Sequence, residues 1–415
     1  MSASETVASA PPIAEPPRLL RASIRRFAWA LGLVLLVLYF LIASDQWLSV
    51  ANYTMLAAIA ALSLNVLSGY AGQISLGIAF FMAVGAYIAV WLGGDPATTF
   101  FVNAQRVHAL GLNLPFWIWV PAAGIGAALV GALIGPTALR LKGFYLGIVS
   151  LALIFIGQHI FFNAVLLTGG PSGRSFPSPT FGAFDFSQQN EILGIAVTKE
   201  QEYFLLILVV LVIFAIFVAN VMRSRAGRAF QAVRDNETGA AIIGVNLFQA
   251  KMGAFIFSSF IAGVGGALFA SYSGYTRPDY WGLLLSIQYV AAIIVGGIAS
   301  VWGSILGAVF VFALPQILDV FTPPQSSTSA GLFGIAAGDL NAAIYGLLIV
   351  IFLLFEPFGV IGLIRRGQLL AQRLSHRAPK GGEPAKALPD SMPDSQFEVE
   401  SSALSTGDGA QPFAG

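Results

Sequence analysis

The chain has 415 residues, of which 57% are hydrophobic and 10% are charged, with a mean hydropathy of +0.79. A soluble domain carries about 25% charged residues, so this composition excludes an ordinary soluble protein. A net charge of +1 gives no basis for nucleic-acid binding. The absence of cysteine excludes disulfides and thiolate metal sites. Histidines 108, 159 and 376 are scattered, so no metal site is expected.

The N-terminal segment 1–26 is rich in Ala, Pro and Ser and is expected to be a disordered cytoplasmic tail. Four arginines (18, 21, 25 and 26) precede the first apolar run, 27–43. That run is longer than the apolar part of a signal peptide, and no small-residue cleavage site follows it. We therefore interpret it as a retained first span, with an uncleaved or atypical signal as the alternative.

Ten apolar runs are long enough, or nearly so, to cross a bilayer, which requires about 20 residues per helix. They lie at about 27–43, 48–67, 74–92, 116–138, 144–168, 203–222, 250–273, 281–296, 303–318 and 340–359. Backbone polar groups inside a bilayer must be paired within the segment, so these runs are expected to be helices. The sequence predicts an all-α polytopic membrane helix bundle over 27–364, followed by a disordered cytoplasmic tail at 365–415.

Basic residues predict the orientation, because they concentrate on the cytoplasmic side. Ten spans with both termini in the cytoplasm place seventeen of the 21 Lys and Arg inside. Only Arg106, Arg174, Lys199 and Arg277 then fall outside. This arrangement makes 169–202 an extracytoplasmic loop and 223–248 a cytoplasmic region.

A glycine-rich break separates spans two and three, at residues 65–77 (NVLSGYAGQISLG). Irregular backbone at membrane depth is tolerated only inside protein or beside a wet cavity. A helix that began near Ser75 would direct its N-terminal amides at a carboxylate in such a cavity. The alternative is a tight cytoplasmic turn packed by small residues. The break supplies most of the candidate substrate-pathway residues, which are Asn65, Ser68, Tyr70, Gln73 and Ser75, together with Gln158 and His159 in span five.

The loop between spans six and seven reads as two short helices (SRAGRAFQAVRDNETGAAIIGVN, 224–246). The first, about 226–234, is predicted to bury Ala226, Phe230 and Val233 on one face. Asp235 or Asn236 is expected to cap the second helix, and Gly244 to end it. Small residues 239–241 would allow a partner to approach closely. Candidate residues for docking on a partner ATPase are Arg228, Arg234, Asp235, Asn236, Glu237, Ala241 and Gly244.

Two absences narrow the function. The chain has no Gly-x4-Gly-Lys-Ser/Thr phosphate loop, so it is not expected to bind ATP as a cofactor in that way. The span centres also lack the acidic residues typical of an ion-coupled carrier. Ser68-Gly-Tyr70 recurs as Ser273-Gly-Tyr275. An inverted repeat would explain this recurrence, and a chance match of three residues is the alternative.

Several ordered motifs resemble bacterial branched-chain amino-acid ABC transporter permeases of the LivM/LivH type. They are residues 62–77 with 85–87, 139–145, 168–170, 227–246, 295–307 and 354–357. The resemblance implies a fold similar to the ten-helix type II importer permeases. It also implies three kinds of partner: a second, related permease, two cytoplasmic ATPase subunits that bind the ATP, and an extracytoplasmic substrate-binding protein. Membrane lipid is the fourth expected partner, because the basic first half of the C-terminal tail (365–386) could rest on anionic headgroups, with a solvated tail as the alternative. The family often has His where Ile78 stands and an acidic residue near Gln158, and both departures bear on the substrate.

The favoured hypothesis is therefore a non-enzymatic permease subunit of an ATP-driven importer in the bacterial plasma membrane. Its substrate would be leucine, isoleucine and valine, or urea, another amino acid or a related small polar solute. The second hypothesis is an ion-coupled secondary transporter. A membrane-embedded enzyme is the third, but the spans lack the convergent acid, base or nucleophile residues that it would need.

Overall fold

The computed structural model describes residues 38–321, with gaps at 95–98, 103–104, 109–110, 140–143, 177–178, 182–183, 187–189 and 193–194. It also describes residue 36 and single positions between 345 and 362. The predicted tails, 1–26 and 365–415, lie outside the described residues, as does most of the first and tenth predicted spans. Within the first, residues 38–42 are helical.

Helices account for most of the described chain. They are α1 (Asp45–Leu64), α2 (Ile78–Gly93), α3 (Phe116–Leu139), α4 (Phe144–Asn163), α5 (Lys199–Arg223), α6 (Arg225–Asp235), α7 (Glu237–Ile242), α8 (Leu247–Ser273), α9 (Leu283–Gly296), α10 (Val301–Ala308) and α11 (Leu314–Phe321). Single helical turns follow α4 at Val165–Thr168 and Gly170–Ser172, and another, Pro278–Trp281, precedes α9.

Eight apolar helical segments correspond to predicted spans two to nine. Five are long enough to cross a membrane by themselves, and Ile78–Gly93, Leu283–Gly296 and Val301–Ile317 are shorter apolar helices. The observed limits lie within about five residues of the predicted ones. The expectation of a polytopic helical membrane protein is therefore confirmed.

Two of these segments contain a π-helical turn. The α1 helix continues through the π turn Asn65–Tyr70, and α10 continues through Val309–Ala313 into α11. A π turn inserts one extra residue per turn and often marks a functional position in a helix. The first of these turns coincides with the start of the predicted break.

The core lies where α1, α2, α3 and α8 meet. Small residues allow this packing, because the α2 and α8 backbones touch at Gly85 and Gly263, and again at Met82 and Gly266. Membrane helices are held together largely by such close contacts, since lipid removes most of the hydrophobic driving force between them. A side chain at Gly85 or Gly266 would push these two helices apart.

The bundle has two ends, named here by what they carry. The coupling end carries residues 71–77 and α6–α7, which meet where Gly72 packs against Arg234. The opposite end carries four two-stranded antiparallel ladders, formed by β1 (Thr99–Val102) with β2 (Gln105–His108), β3 (Arg174–Ser175) with β8 (Tyr275–Thr276), β4 (Thr180–Phe181) with β5 (Phe184–Asp185), and β6 (Asn190–Ile192) with β7 (Ile195–Val197). A capping box at Thr198 and Gln201 starts α5 at this end.

Candidate functional site

The break begins in the π turn and ends at Gly77. Between them, Gly72 has a φ of +68°, a left-handed conformation that favours glycine. The helix expected to begin near Ser75 begins three residues later, at Ile78. The preceding residue is Gly77, which has no side chain to cap the helix. The amides of residues 76 and 79 are instead bonded to serine hydroxyls of neighbouring helices.

Asn65 fixes the first end of the break. Its Nδ2 donates to the Ser300 carbonyl at 2.9 Å and to Ser304 Oγ at 2.6 Å, and its Oδ1 accepts from the Ala299 N–H at 2.9 Å. Ala299 has a φ of +59°, so Asn65 holds a left-handed corner between α9 and α10. Because Asn65 is fully buried and all of these partners belong to this chain, it braces the subunit from within.

Gln73 and Ser75 fix the second end. Gln73 Nε2 donates to the Lys251 carbonyl in α8 at 3.1 Å, and Ser75 Oγ accepts from the Gly77 N–H at 3.2 Å. The Leu76 N–H donates to Ser150 Oγ in α4 at 2.8 Å. The break is thus bonded to α4, α8 and α10, and to the corner before α10.

Ser68 and Tyr70 are half-buried at the surface of the break. Ser68 Oγ donates to the Gln73 carbonyl at 3.0 Å, and Tyr70 packs against the hydrophobic core. The structure therefore brings the five predicted break residues together into one packed segment.

Gln158 and His159 lie apart from that segment. They follow Ser150 by two turns or more of α4, roughly 12 Å along the axis. His159 is exposed, and its carbonyl accepts from Asn163 Nδ2 at 2.7 Å. Gln158 faces Gly282, just before α9. Polar groups exposed on a membrane span normally face protein or water, so this face of α4 is a second candidate surface.

The coupling region consists of α6, α7 and the turn that joins them to α8. Asn236 caps α7, because its Oδ1 accepts from the Gly239 N–H at 2.9 Å, and Gly244 ends it with a φ of +86°. Phe230 and Val233 are buried as predicted. The prediction that Ala226 shares their face is wrong, since Ala226 is exposed and Gly227 is buried against the Met222 backbone.

The remaining docking candidates are mostly at the surface. Arg228, Arg234, Asp235, Asn236, Ala241 and Gly244 are exposed, and Glu237 is half-buried. Ala240 is buried, so it packs inside the subunit and offers no surface to a partner, contrary to the expectation for residues 239–241. The sequence analysis missed two adjacent apolar residues, Ile242 and Ile243, which are 80% and 74% exposed.

The role of Lys251 also lacks a signal in the sequence, beyond its contribution to the predicted orientation. It is buried near the start of α8, with its Nζ 2.6 Å from Glu237 Oε1. A cavity of about 140 Å³ lies beside this pair, lined by the break and the coupling region, including Gly72, Gln73, Arg234, Glu237 and Lys251. Within the described residues, no group of three or more His, Asp or Glu could hold a metal ion.

Polar side chains also tie helices together at the opposite end. Glu200 Oε2 accepts from Asn52 Nδ2 at 3.1 Å and from the Tyr272 hydroxyl at 2.6 Å, which joins α1, α5 and α8. Arg174 is buried beneath the β3–β8 ladder and donates to the Leu167 carbonyl at 3.0 Å. Burial lowers the pKa of the Arg174 guanidinium. Buried polar contacts therefore join helices at this end as they do at the coupling end.

Comparison with known proteins gives a consistent set of relatives. Residues 46–355 match the family model described as branched-chain amino acid transport system / permease component. The high-affinity branched-chain amino acid transport system permease protein LivM of Escherichia coli (strain K12) is 30% identical over 346 residues, which cover 80% of this chain and 74% of that protein. LivH of Salmonella typhimurium is 24% identical over 74% of this chain and 91% of its own length.

A relative whose name gives a different substrate matches a smaller part of the chain. The autoinducer 2 import system permease protein LsrC of Enterobacter sp. (strain 638) is 28% identical over 224 residues, which cover 52% of this chain and 61% of that protein. No solved structure matches the chain.

Proposed function

The chain belongs to the family of permease components of bacterial branched-chain amino acid transport systems and is a multi-pass inner-membrane protein, and on this premise we propose that it conducts leucine, isoleucine and valine inward as one subunit of an ATP-driven importer. The observation that carries the proposal is the match over residues 46–355, together with relatives that transport these amino acids according to their names. The conduction itself requires no enzymatic step in this chain.

The energy enters, in this proposal, through the coupling region. ATP is bound by two partner ATPase subunits on the cytoplasmic side. Ile242 and Ile243 would enter an apolar groove of the ATPase, because removing their exposed apolar surface from water is favourable. Arg228, Arg234 and Asp235 are exposed and would lie on the rim, where each charge contributes roughly 0–1 kcal/mol.

The pathway is proposed to run along α4, between this chain and a second, related permease. Support comes from the exposed His159 and Asn163, which are costly facing lipid and useful facing a polar substrate. The adjoining break would be held in place by Asn65, Gln73 and Ser75, which bond to groups inside the subunit. An extracytoplasmic binding protein would deliver substrate at the opposite end.

The test is uptake by the chain co-assembled with its second permease, ATPases and binding protein in proteoliposomes. Radiolabelled leucine should accumulate only with ATP, and unlabelled isoleucine and valine should compete while urea should not. Uptake by the chain alone under an ion gradient would instead support the secondary transporter. Competition by urea but not by isoleucine would move the substrate to another small solute.

The docking surface has its own test. Ile243→Asp should weaken ATPase binding, and Ala241→Trp should obstruct the groove. The control is Leu112→Asp, which alters an exposed apolar residue at the opposite end. Co-purification of the ATPase with both coupling-region variants at the amount seen for the control would exclude this surface.

A further inference from the structure

Lys251 is bonded to two segments that are far apart in the sequence. Its residue is only 8% exposed, so its ammonium requires a charged partner, which Glu237 Oε1 supplies at 2.6 Å. Its backbone carbonyl accepts from Gln73 Nε2 at 3.1 Å. One residue at the start of α8 therefore holds both the first turn of α7 and the middle of the break.

The break passes this connection on to α4. Three residues after Gln73, the Leu76 N–H donates to Ser150 Oγ at 2.8 Å, and Ser150 Oγ donates in turn to the Gly147 carbonyl at 2.8 Å. Three polar contacts thus lead from α7 to α4. Only 33% of the apolar window of α4 is buried within the subunit.

A second contact joins the break directly to the coupling region. Gly72 lies so close to the last turn of α6 that an added Cβ would sit 3.1 Å from Arg234 Cα. Gly72 has no side chain to obstruct this approach, and its positive φ is a conformation that favours glycine. A displacement of α6–α7 therefore presses on the break at Gly72 and draws on it through Lys251.

We infer that Lys251 is a positioning residue that makes the break follow the coupling region, so that a displacement of α6–α7 reaches the exposed face of α4. The inference rests on the proposed docking of the ATPase and adds the route inside this chain. Besides Lys251, α7 is held by the packing of Ala240, by the cap at Asn236 and by the bond from the Val245 N–H to the Ala240 carbonyl.

Two variants cut the route at different places. Lys251→Met with Glu237→Met removes both charges together, which avoids leaving one charge buried alone and so tends to preserve stability. Glu237 lies outside the docking surface proposed above, because its carboxylate is bonded to Lys251 inside the subunit. Gln73→Leu removes the second contact, while the ion pair stays. The matched control is Gln249→Met, an exposed residue in the same turn of α8.

The assembled importer should show uncoupling in both cut variants. ATP hydrolysis and ATPase binding should remain at the wild-type level, while leucine uptake per ATP falls roughly fivefold or more, the usual size of a coupling between two sites. Gln249→Met should keep the wild-type ratio. A purely structural role for the ion pair predicts instead that the double methionine variant, once stable, transports normally.

The outcomes separate this inference from the proposed function. If the wild-type assembly takes up substrate with ATP and both cut variants keep its ratio, the route through Lys251 is refuted. If the wild-type assembly shows no ATP-driven uptake, the proposed function fails and hydrogen exchange of the purified chain decides the inference. Residues 71–77 should then exchange faster in the double methionine variant than in Gln249→Met, and equal exchange would overturn the inference.

Discussion

The helices α1 and α4 are equally suited to a membrane and differently placed in the protein. Their apolar windows have mean hydropathies of 1.6 and 1.9, yet 83% of the first and only 33% of the second is buried. The polar residues Asn52, Thr54, Ser63 and Asn65 of the α1 segment are buried and hydrogen-bonded. His159 and Asn163 of α4 are exposed.

This difference separates two uses of polarity inside a membrane. In α1, polar side chains bond to neighbouring helices and hold the subunit together, which gives packing specificity at modest energy. In α4, the polar side chains have a free surface that needs protein or water beside it. Hydropathy decides that both segments cross the membrane, and tertiary contacts decide which one can face a substrate.

The largest effect is expected where backbones touch in the packed core. Gly266→Ala should prevent stable folding, because the new Cβ meets the Met82 backbone of α2, which cannot move aside as a side chain could. Overpacking costs roughly 1–3 kcal/mol, occasionally more, and this site lies at the upper end. Gly253→Ala in the same helix is the control, since its nearest neighbour is the Phe230 ring at 3.7 Å. Thermal unfolding in detergent should show a large loss only for Gly266→Ala.

The next effect concerns the clamp at the end of α1. Asn65→Ala should leave the part-buried Ala299 N–H and the buried Ser304 hydroxyl without their bonds to Asn65, at a cost of roughly 1–3 kcal/mol. Ser49→Ala, an exposed position on the same helix, should change stability by less than about 0.5 kcal/mol. Equal melting temperatures for the two variants would mean that Asn65 is not a structural clamp.

The sequence predicted the spans well because lipid imposes length and apolarity on every one of them. It also predicted the position of the break, since Gly69, Gly72 and Gly77 interrupt the apolar pattern. The cap at Asn236 and the end at Gly244 follow from local chemistry, so they too could be predicted. These features depend on neighbours within a few residues.

The rest depends on contacts between distant segments. The pattern of α6 predicted residue 226 on the buried face, but residue 227 lies there, against the Met222 backbone, which leaves room only for glycine. Lys251 pairs with a glutamate 14 residues away on another helix. Neither contact has a local signature, so the sequence could not predict the joint between the break and the coupling region.

A smaller effect is expected from removing polarity on α4. His159→Leu should leave thermal stability almost unchanged, because the ring is exposed and the backbone supplies the bond to Asn163. Leucine uptake by the assembled importer should still fall severalfold if this face lines the pathway, which corresponds to about 1 kcal/mol. Lys199→Met, on a half-buried residue at the opposite end, is a control for the loss of a polar side chain elsewhere in the subunit. Unchanged uptake in His159→Leu would place α4 with the structural helices.

The smallest perturbation tests the comparison most directly, because it changes neither folding nor charge. The chain contains no cysteine, so a single one can report its surroundings. Ile160→Cys on α4 and Val209→Cys on α5 alter side chains of similar exposure, 51% and 55%. In lipid, a water-soluble maleimide needs a thiolate in contact with water, so a site that faces acyl chains should not react. Ile160→Cys should therefore be labelled in the assembled importer and Val209→Cys should not, with Leu112→Cys as the reactive control. Equal labelling of Ile160→Cys and Val209→Cys would show that exposure in the isolated subunit does not distinguish the pathway from the lipid surface.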